Sequence, residues 1–411
     1  MTDMKQGWEE CILEDYIKLI DYRGRTPVKT ESGIRLITAK NVKLGYLQLE
    51  PQEFIAEDNY ESWMTRGIPN FGDVIFTTEA PLANVAQIDT YDKVAFAQRI
   101  IVMQPQKDKI DSTFLKFLLL SDSTRRKILD KGTGATVLGI KSSLLKKIKI
   151  SIPSISEQQR IVSILDKAFE AIDKAKANAE QNLKNSKELF ESYLQNLFEN
   201  PKVNCEKTKW GDLCDFVRGP FGGSLKKSIF KEEGYVVYEQ KHAIHDHFNQ
   251  LRYFIDEEKF NEMKRFELKP GDIIMSCSGV TLGRVAIVPD GIKRGIINQA
   301  LLKLTPKKNV SVHYIKHWLR SNIFQKIIFE FAGGAAIPNV PSAKILKDII
   351  IPIPSFKEQE EIVNQIETVL KETKKLEAIY QQKLIDLEEL KKSLLEKAFK
   401  GELKTEKIEV V

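Results

Sequence analysis

One segment of the sequence carries the residue types of a phosphate-binding loop. Residues 134–143, GATVLGIKSS, contain the required glycines, lysine and serine. However, one extra residue separates the last glycine from Lys141, and the segment follows a predicted helix, whereas a phosphate loop links a strand to a helix. We therefore expect no ATP site here, although Lys141 could still contact a phosphate group.

Histidines occur at two spacings that could suggest a metal site. His242, His245 and His247 form H-x-x-H-x-H, but no nearby cysteine completes a ligand set, so a polar surface loop is the better interpretation. His313 and His317 are four residues apart on a predicted helix, but no glutamate follows the first histidine, which excludes the metalloprotease motif. We predict no metal site in this chain.

Catalytic residues are not indicated by any pattern in the sequence. Carboxylates are plentiful, but no pair stands out as a general acid and base. The Asn/Asp-Pro-Pro-aromatic motif expected of an amino-methyltransferase is missing from the sequence. We therefore expect a chain that positions other molecules and performs no chemistry itself, with an enzyme that has an unrecognised site as an alternative.

The chain is organised by an internal repeat. The stretch ISIPSISEQQRIV at residues 150–162 has a near-copy, IPIPSFKEQEEIV, at residues 351–363. The offset between the copies is 201 residues, as from Glu157 to Glu358, and it is kept up to the ends of the helices that follow. A repeat of this length is too long for a solenoid unit, so we interpret it as one domain plus one helix, made twice.

Each copy of the repeat begins a long predicted helix. Ser154 with Glu157, and Ser355 with Glu358, have the S-x-x-E spacing of a capping box. Apolar residues then recur at heptad spacing, which predicts a coiled-coil seam. Each stripe could instead pack only on its own domain, but a run well beyond 25 residues favours a coiled coil. The seam residues are Ile161, Leu165 and Ile172 in the first helix and Ile362, Ile366, Val369 and Leu376 in the second.

The repeat predicts four regions of the chain. Residues 1–153 and 201–354 are two mixed α/β domains, in which strand-like and helix-like segments recur in the same order. Residues 154–200 form a central helix, and residues 355–411 contain a distal helix that pairs with it. Connectivity makes the two helices antiparallel. The predicted fold class is α+β, with two homologous domains separated by a long antiparallel two-helix coiled coil and related by a pseudo-two-fold axis.

Composition is that of a globular protein and sets few limits on function. The 411 residues are 42% hydrophobic and 29% charged, with a net charge of +6, which permits nucleic-acid binding without requiring it. The sequence has no run of eighteen apolar residues and no signal peptide at its start, so we expect a cytoplasmic protein. Cys11, Cys205, Cys214 and Cys277 are scattered singly, which fits a reducing compartment.

Two related domains, each closed by a helix that starts with P-S-x-x-E-Q-[QE]-x-I-V, resemble the specificity (S) subunit of Type I restriction-modification systems. The resemblance covers the entire chain, and its most specific parts are PSISEQQRIV, PSFKEQEEIV and the helix ends FEN and FKGEL. It implies two target-recognition domains, each of which reads one half of a split double-stranded DNA sequence, and paired helices that set the gap.

The same resemblance implies partners and cofactors. Two methyltransferase subunits would dock on the helices, and restriction/translocase subunits would join that assembly, with no role for a membrane. The resemblance implies no cofactor in this chain, because S-adenosylmethionine would bind the methyltransferase subunit, and ATP and Mg would bind the restriction subunit.

Candidate DNA-binding residues lie at turns and strand ends of both domains. Lysine and arginine are expected to contact phosphates, and small polar groups to contact base edges, although each residue could instead be an ordinary solvated one. The resemblance favours the loops GPFGGSLKKS (219–228) and SCSGVTLGRV (276–285), whereas TTEAPLANV (77–85) lacks their glycines. The candidates are Arg23, Arg25, Lys40, Asn41, Lys43, Thr77, Thr78, Lys141, Arg218, Ser224, Lys226, Lys227, Lys241, His242, Ser276, Ser278 and Arg284.

A coiled-coil adaptor that binds only proteins is the rival hypothesis. It explains the heptads equally well, but it gives no reason for basic, glycine-rich loops at matched positions in both domains.

Overall fold

The computed structural model describes residues 7–23, 26–201, 203–331 and 338–403. The chain forms two compact units, which we call unit 1 (Met1–Ala179 with Gln382–Val411) and unit 2 (Glu180–Gln381). Each unit contains one predicted α/β domain together with parts of both long helices. The unit boundaries therefore fall inside the helices, whereas the domain boundaries predicted above follow the ends of the helices.

Unit 1 combines short strands with short helices ahead of the first long helix. Its elements, in chain order, are β1 (Trp8–Ile12), β2 (Ile17–Asp21), β3 (Ile34–Ile37), β4 (Phe54–Ile55), α1 (Tyr60–Trp63), β5 (Val74–Thr77), β6 (Val85–Gln87), β7 (Val94–Phe96), β8 (Ile100–Pro105), α2 (Ser112–Leu120), α3 (Asp122–Leu129), α4 (Ser142–Lys146), β9 (Lys149–Pro153) and the first part of α5 (Ile155–Glu199).

Unit 2 repeats these elements. They are β10 (Glu206–Lys209), α6 (Trp210–Leu213), β11 (Cys214–Arg218), β12 (Tyr235–Tyr238), α7 (Gln240–His245), β13 (Phe254–Ile255), α8 (Glu257–Glu262), β14 (Ile273–Ser276), β15 (Val285–Ile287), β16 (Gly295–Ile297), β17 (Leu301–Pro306), α9 (Val312–Arg320), α10 (Asn322–Phe331), α11 (Ala343–Asp348), β18 (Ile350–Ile353) and the first part of α12 (Phe356–Lys400).

The sheets have the same topology in both units. Four antiparallel strands run in the order β2-β8-β5-β6 in unit 1 and β11-β17-β14-β15 in unit 2. A three-stranded sheet has the order β4-β3-β7 or β13-β12-β16, and its β3–β7 and β12–β16 pairs are parallel. A two-stranded antiparallel ribbon, β1–β9 or β10–β18, leads into the long helix of each repeat. The recurrence of this order confirms that the two domains are homologous.

Each four-stranded sheet is buried on both faces. Because successive strand side chains point to opposite faces, Val74 and Phe76 of β5 pack in one core and Ile75 packs in the other. The first core is shared with α2 and the long helices, and the second with β3 and β7. In unit 2, Ile273 and Ile274 of β14 divide in the same way. The sheet thus fixes the loops at its strand ends between two packed layers.

The helical region between β8 and α4, and its counterpart between β17 and α11, are each divided into two helices at a serine. Ser121 and Ser321 have extended ψ values of 139° and 151°, and both are fully buried. The Ser121 hydroxyl accepts a hydrogen bond from the Thr124 N–H, so this serine ends α2 and caps α3. Serine competes for backbone hydrogen bonds in this way, which is why it favours helix caps.

The two long helices run antiparallel within each unit. In unit 1, Lys176 pairs with Glu388 at 2.6 Å and Asp173 pairs with Lys391 at 2.9 Å, so the residue numbers rise on α5 as they fall on α12. In unit 2, Phe198 near the end of α5 shares a core with residues near the start of α12. These contacts confirm the predicted fold class of two mixed domains with a long antiparallel helix pair.

Most predicted seam residues are covered. Ile161, Leu165, Ile172 and Ile366 are buried, and Ile362 and Val369 are half-buried. Leu376, however, is 36% exposed, which contradicts its predicted place in the seam. Thr373, which continues the same heptad spacing, is buried, and so is Val363.

The helix starts differ between the repeats. Ser355 and Glu358 form a complete capping box, because the Ser355 N–H donates to the Glu358 carboxylate at 3.0 Å and the Glu358 N–H donates to the Ser355 hydroxyl at 3.4 Å. At the first helix, Ser154 accepts from the Glu157 N–H at 3.4 Å, but the Glu157 carboxylate instead binds Arg160 at 2.6 Å. The second half of the box is therefore replaced by an ion pair.

Candidate nucleic-acid interface

A polar cleft lies in unit 1 where several strand ends and one connecting segment meet. Its volume is about 270 Å³, and its lining includes Arg23 after β2, Glu79 after β5, Arg99 after β7, and Lys141 before α4. The connecting segment is held against the loop after β5, because the Ile140 N–H donates to the Thr78 carbonyl at 2.9 Å. The structure thus brings the predicted residues Arg23, Thr78 and Lys141 together.

Arg23 is held by the protein through both ends of its guanidinium group. Its Nε and Nη2 donate to the Asp21 carboxylate, and its Nη1 donates to the Ile140 carbonyl at 3.1 Å. Burial alone raises the pKa of Asp21, but the hydrogen bonds and charge of Arg23 hold that pKa below its usual range. Arg23 therefore joins two walls of the cleft. Arg66, which is exposed, donates to the carbonyls of Asp21 and Arg23.

The equivalent region of unit 2 has the same backbone contacts and different side chains. The Val340 N–H donates to the Cys277 carbonyl at 2.9 Å, as Ile140 does to Thr78 in unit 1. Arg218 takes the place of Arg23 and donates to the Asn339 side chain at 3.1 Å. The two units therefore present the same framework with different chemical groups.

The loop after β5 shares two left-handed positions with its glycine-containing counterpart after β14, which is one residue longer. Ala80 and Ala83 have φ values of +47° and +65°, and Gly279 and Gly283 have φ values of +77° and +78°. Left-handed backbone favours glycine, yet the alanines adopt it here. The missing glycines of TTEAPLANV therefore do not remove these two left-handed positions.

Two residues predicted to bind DNA are buried caps at equivalent positions. The Asn41 carbonyl Oδ1 accepts from the Thr38 N–H at 3.0 Å, and His242 Nδ1 accepts from the Glu239 N–H at 2.9 Å. Asn41 is 1% exposed and His242 is 0% exposed, so neither side chain projects from the sheet. The prediction of a projecting position is wrong for both, because each side chain satisfies a backbone group at the end of a strand.

Three further candidates are buried at the ends of β5 and β14. Thr77 donates to the Pro81 carbonyl at 2.6 Å, and Thr78 donates to the Arg99 carbonyl at 3.3 Å. Ser276 accepts from Gln240 Nε2 at 2.6 Å. All three are at most 2% exposed, which contradicts the expectation that they project from strand ends. Their hydroxyl groups stabilise the loops that carry the exposed residues.

The remaining candidates are at least partly accessible, and their DNA contacts stay predictions. Lys40, Lys141, Lys226, Lys227 and Arg284 are exposed, and Lys43, Arg218, Ser224, Lys241 and Ser278 are half-buried. Lys40 and Lys43 do not line the cleft of unit 1. Lys241 is paired with Glu239 at 3.2 Å. Arg25 lies outside the described residues.

The glycine-rich loop of unit 2 has one close backbone approach. A Cβ atom on Gly219 would lie 1.9 Å from the Asn298 carbonyl oxygen, so only glycine fits at this point. Further along, Leu225 is buried and anchors the loop, whereas Phe221 is 91% exposed. Lys226 and Lys227 follow the anchor on the exposed side, as expected for cations that contact phosphates.

The segment that resembles a phosphate loop and the H-x-x-H-x-H segment make contacts within the protein. The N–H groups of Gly139 and Ile140 donate to the Thr133 and Thr78 carbonyls, so they do not form an open cradle for a phosphate. His245 and His247 stack with their ring centres 5.7 Å apart. Within the described ranges, no cluster of three or more His, Cys, Asp or Glu residues could hold a metal ion. Over the same ranges, no helix is long and apolar enough to cross a membrane.

Sequence reasoning missed Arg99 and two buried glutamines. Gln158 and Gln359 follow Glu157 and Glu358 at the start of α5 and α12, and each accepts a hydrogen bond from the backbone ahead of a domain helix, at 2.8 Å. The repeated E-Q pair was a visible signal for these glutamines. For Arg99 there was no signal, because its position depends on the fold.

Fold and site together define a protein of two homologous α/β units, each with an arginine at the equivalent strand end and parts of two long helices. The chain belongs to the family described as Type I restriction modification DNA specificity domain, whose sequence profile matches residues 7–184 and 202–385. This confirms the family resemblance found in the sequence.

Individual relatives are similar over most of the chain. The EcoBI specificity subunit of Escherichia coli is 26% identical over 336 residues, which cover 74% of this chain and 69% of that protein. The MjaIX specificity subunit of Methanocaldococcus jannaschii is 23% identical over 425 residues, which cover 99% of this chain and 90% of that one.

Two solved structures share the fold. The crystal structure of the HsdS subunit from Thermoanaerobacter tengcongensis has a TM-score of 0.66 at 19% identity, with 97% of this chain and 98% of that chain covered. A chain from a structure of a type I R-M system, described for its complex assembly and conformational transition, has a TM-score of 0.75 at 19% identity and covers 98% of this chain and 100% of that chain.

Proposed function

We propose that this chain is the non-catalytic DNA-recognition subunit of a Type I restriction-modification complex. Each unit binds one half of a bipartite double-stranded DNA target through the loops at its strand ends, which in unit 1 line the cleft. The long helices hold two methyltransferase subunits, so that a target adenine in each half is presented for flipping and N6 methylation. S-adenosylmethionine belongs to the methyltransferase subunit, and ATP and Mg to the restriction/translocase subunit.

The observation that carries this proposal is the repetition of one loop framework with different side chains. The framework contacts are the Thr78–Ile140 and Cys277–Val340 backbone hydrogen bonds, both 2.9 Å long. A protein that reads two different half-sequences needs such a pair, because the framework positions the loops and the side chains discriminate between bases.

Partner docking on the helices is supported by apolar residues that the fold leaves uncovered. In unit 1, Ile385 and Leu390 on α12 are 52% and 46% exposed, and in unit 2, Leu189 on α5 and Ile379 on α12 are 54% and 58% exposed. Exposed apolar residues on a charged helix suit a protein partner. An adaptor that binds only proteins would need the same residues, but it would not need one loop framework repeated with different polar side chains.

A mobility-shift assay with a pool of random DNA duplexes tests the proposal. We expect the chain, with or without its methyltransferase partner, to retain duplexes, and the logarithm of the binding constant to fall linearly as the logarithm of the salt concentration rises. An absent or salt-independent shift under both conditions would favour the adaptor. Methylation or cleavage of DNA by the purified chain alone would contradict the non-catalytic assignment.

A further inference from the structure

Arg99 differs from Arg23 of the unit 1 cleft in what its guanidinium group contacts. Its Nε forms an ion pair with Glu79 Oε1 at 2.9 Å, and the two side chains are 47% and 42% exposed. Within residues 7–23, 26–201, 203–331 and 338–403, its terminal nitrogens Nη1 and Nη2 make no hydrogen bond. Arg23, by contrast, uses Nε, Nη1 and Nη2 within the protein. Arg99 therefore presents two parallel donors to the cleft.

The position of Arg99 is fixed by its backbone as well as by Glu79. Its carbonyl accepts hydrogen bonds from the Thr78 N–H at 2.9 Å and from the Thr78 hydroxyl at 3.3 Å. Its φ is +80°, a conformation that is uncommon for a residue other than glycine. A side chain held at both its base and its head loses little freedom on binding, which favours a specific contact.

The carboxylate of Glu79 determines which chemical group suits the two terminal nitrogens of Arg99. A phosphate would bring a second negative charge next to Glu79, whereas the O6 and N7 atoms of guanine are neutral acceptors spaced for a bidentate arginine. The cytosine paired with that guanine presents an amino group in the same groove, and a carboxylate accepts from it. The Arg99–Glu79 pair therefore matches the major-groove edge of a G·C pair better than it matches the DNA backbone.

Unit 2 lacks this pair at the equivalent position. The Cys277 N–H donates to the Ala300 carbonyl at 2.9 Å, as the Thr78 N–H does to the Arg99 carbonyl, so Ala300 replaces Arg99. Ser278 forms an isolated β-bridge with Asn339, as Glu79 does with Gly139 in unit 1. A serine in unit 2 therefore replaces the carboxylate. Unit 2 must read its half of the target with other groups.

We propose that Arg99, oriented by Glu79, reads the guanine of a G·C pair in the half of the DNA target that unit 1 recognises. This inference rests on the proposed function and specifies the substrate of one unit. Arg99 is a specificity-determining residue, and Glu79 is the positioning residue that aims it.

Selection from a random duplex pool tests this inference. The full chain, in complex with its methyltransferase partner, is used to select bound duplexes, which are then sequenced. The variants are Arg99→Ala and Arg99→Lys, and the second keeps the positive charge but loses the two parallel donors. Arg126→Ala is the control, at an exposed arginine of α3. The melting temperature of each variant establishes that it folds.

We expect the unsubstituted chain to select a split motif with a fixed G·C pair in one half. Arg99→Ala and Arg99→Lys should lower the preference for that pair by about 10- to 100-fold, and the other half should stay unchanged. Arg126→Ala should select the original motif. If Arg99→Ala fails to fold, Arg99→Lys alone decides the question.

Two results overturn the inference while leaving the proposed function intact. One is a split motif that both Arg99 variants select with unchanged preference. The other is a uniform loss of affinity across all sequences with a smaller salt slope, which would identify Arg99 as a phosphate contact. If the unsubstituted chain selects no split motif, the proposed function itself fails, and the inference fails with it.

Discussion

Replacing Gln158 with methionine should destabilise unit 1, because this side chain makes three hydrogen bonds in a fully buried position. Its Oε1 accepts from the Asp111 N–H at 2.8 Å, and its Nε2 donates to the carbonyls of Lys109 and Pro153, both at 3.0 Å. Gln158 is 0% exposed. It thereby joins the start of α5 to the backbone turn that precedes α2.

The size of the effect follows from the groups that lose their partners. Methionine has a similar length and volume, so little of the loss comes from a cavity. Each unsatisfied buried polar group costs about 1–3 kcal/mol, and water can reach part of this site, so we expect about 3 kcal/mol for the three groups. For a unit of about 200 residues, this corresponds to a fall of about 6–12 °C in melting temperature.

Calorimetry and hydrogen exchange together test this prediction. The transition of unit 1 should move to lower temperature, and the Asp111 amide should exchange faster because its acceptor is gone. Gln159→Met is the matched control, since Gln159 is the exposed neighbour on the same helix turn. The reasoning is refuted if Gln158→Met melts within about 1 °C of the control and the Asp111 amide keeps its protection.

Three further predictions address DNA contact, pH and helix register. Replacing Lys226 and Lys227 with alanine should weaken DNA binding broadly and lower the salt slope by up to about 2, and an unchanged slope would exclude this loop from the interface. Burial, together with neighbouring cations, lowers the pKa of His317 to about 4. As the pH falls, His317 is therefore protonated in the unfolded chain at a higher pH than in the folded chain. Stability should therefore fall by up to about 3 kcal/mol between pH 6.5 and 4, and thermal melts of His317→Gln should lack this dependence; an identical pH profile would contradict the assignment. Lys391→Glu should lower the free energy of unfolding of unit 1 by less than about 1 kcal/mol, measured by urea unfolding. Adding Asp173→Lys should restore that free energy, and a double variant that stays destabilised would contradict the antiparallel register.

The long helices and their direction were predictable because the relevant signals are local. The capping spacing at Ser154 and Ser355, the heptads and the constant offset are all read along the chain. The break at Ser121 was a weaker signal, because a serine between apolar residues can either cap a helix or lie inside one. Only the surrounding packing decides between the two.

The cleft of unit 1 was predictable only as regions of sequence. Turn position indicated Arg23 and Lys141, which line that cleft, but it also selected Thr77 and Ser276, which are buried at strand ends. A polar residue after a strand can face solvent or satisfy the backbone, and the sequence does not distinguish these outcomes. Arg99 was missed because its partner, Glu79, lies on another strand end that only the folded sheet brings close.

Methylation mapping of a genome exposed to this chain and its methyltransferase subunit tests whether two homologous units read two halves of one DNA target for a partner methyltransferase. We expect a split motif, with two defined half-sequences separated by a fixed gap and a methylated adenine in each half on opposite strands. A single uninterrupted motif, or methylation that does not change when this chain is omitted, would contradict it.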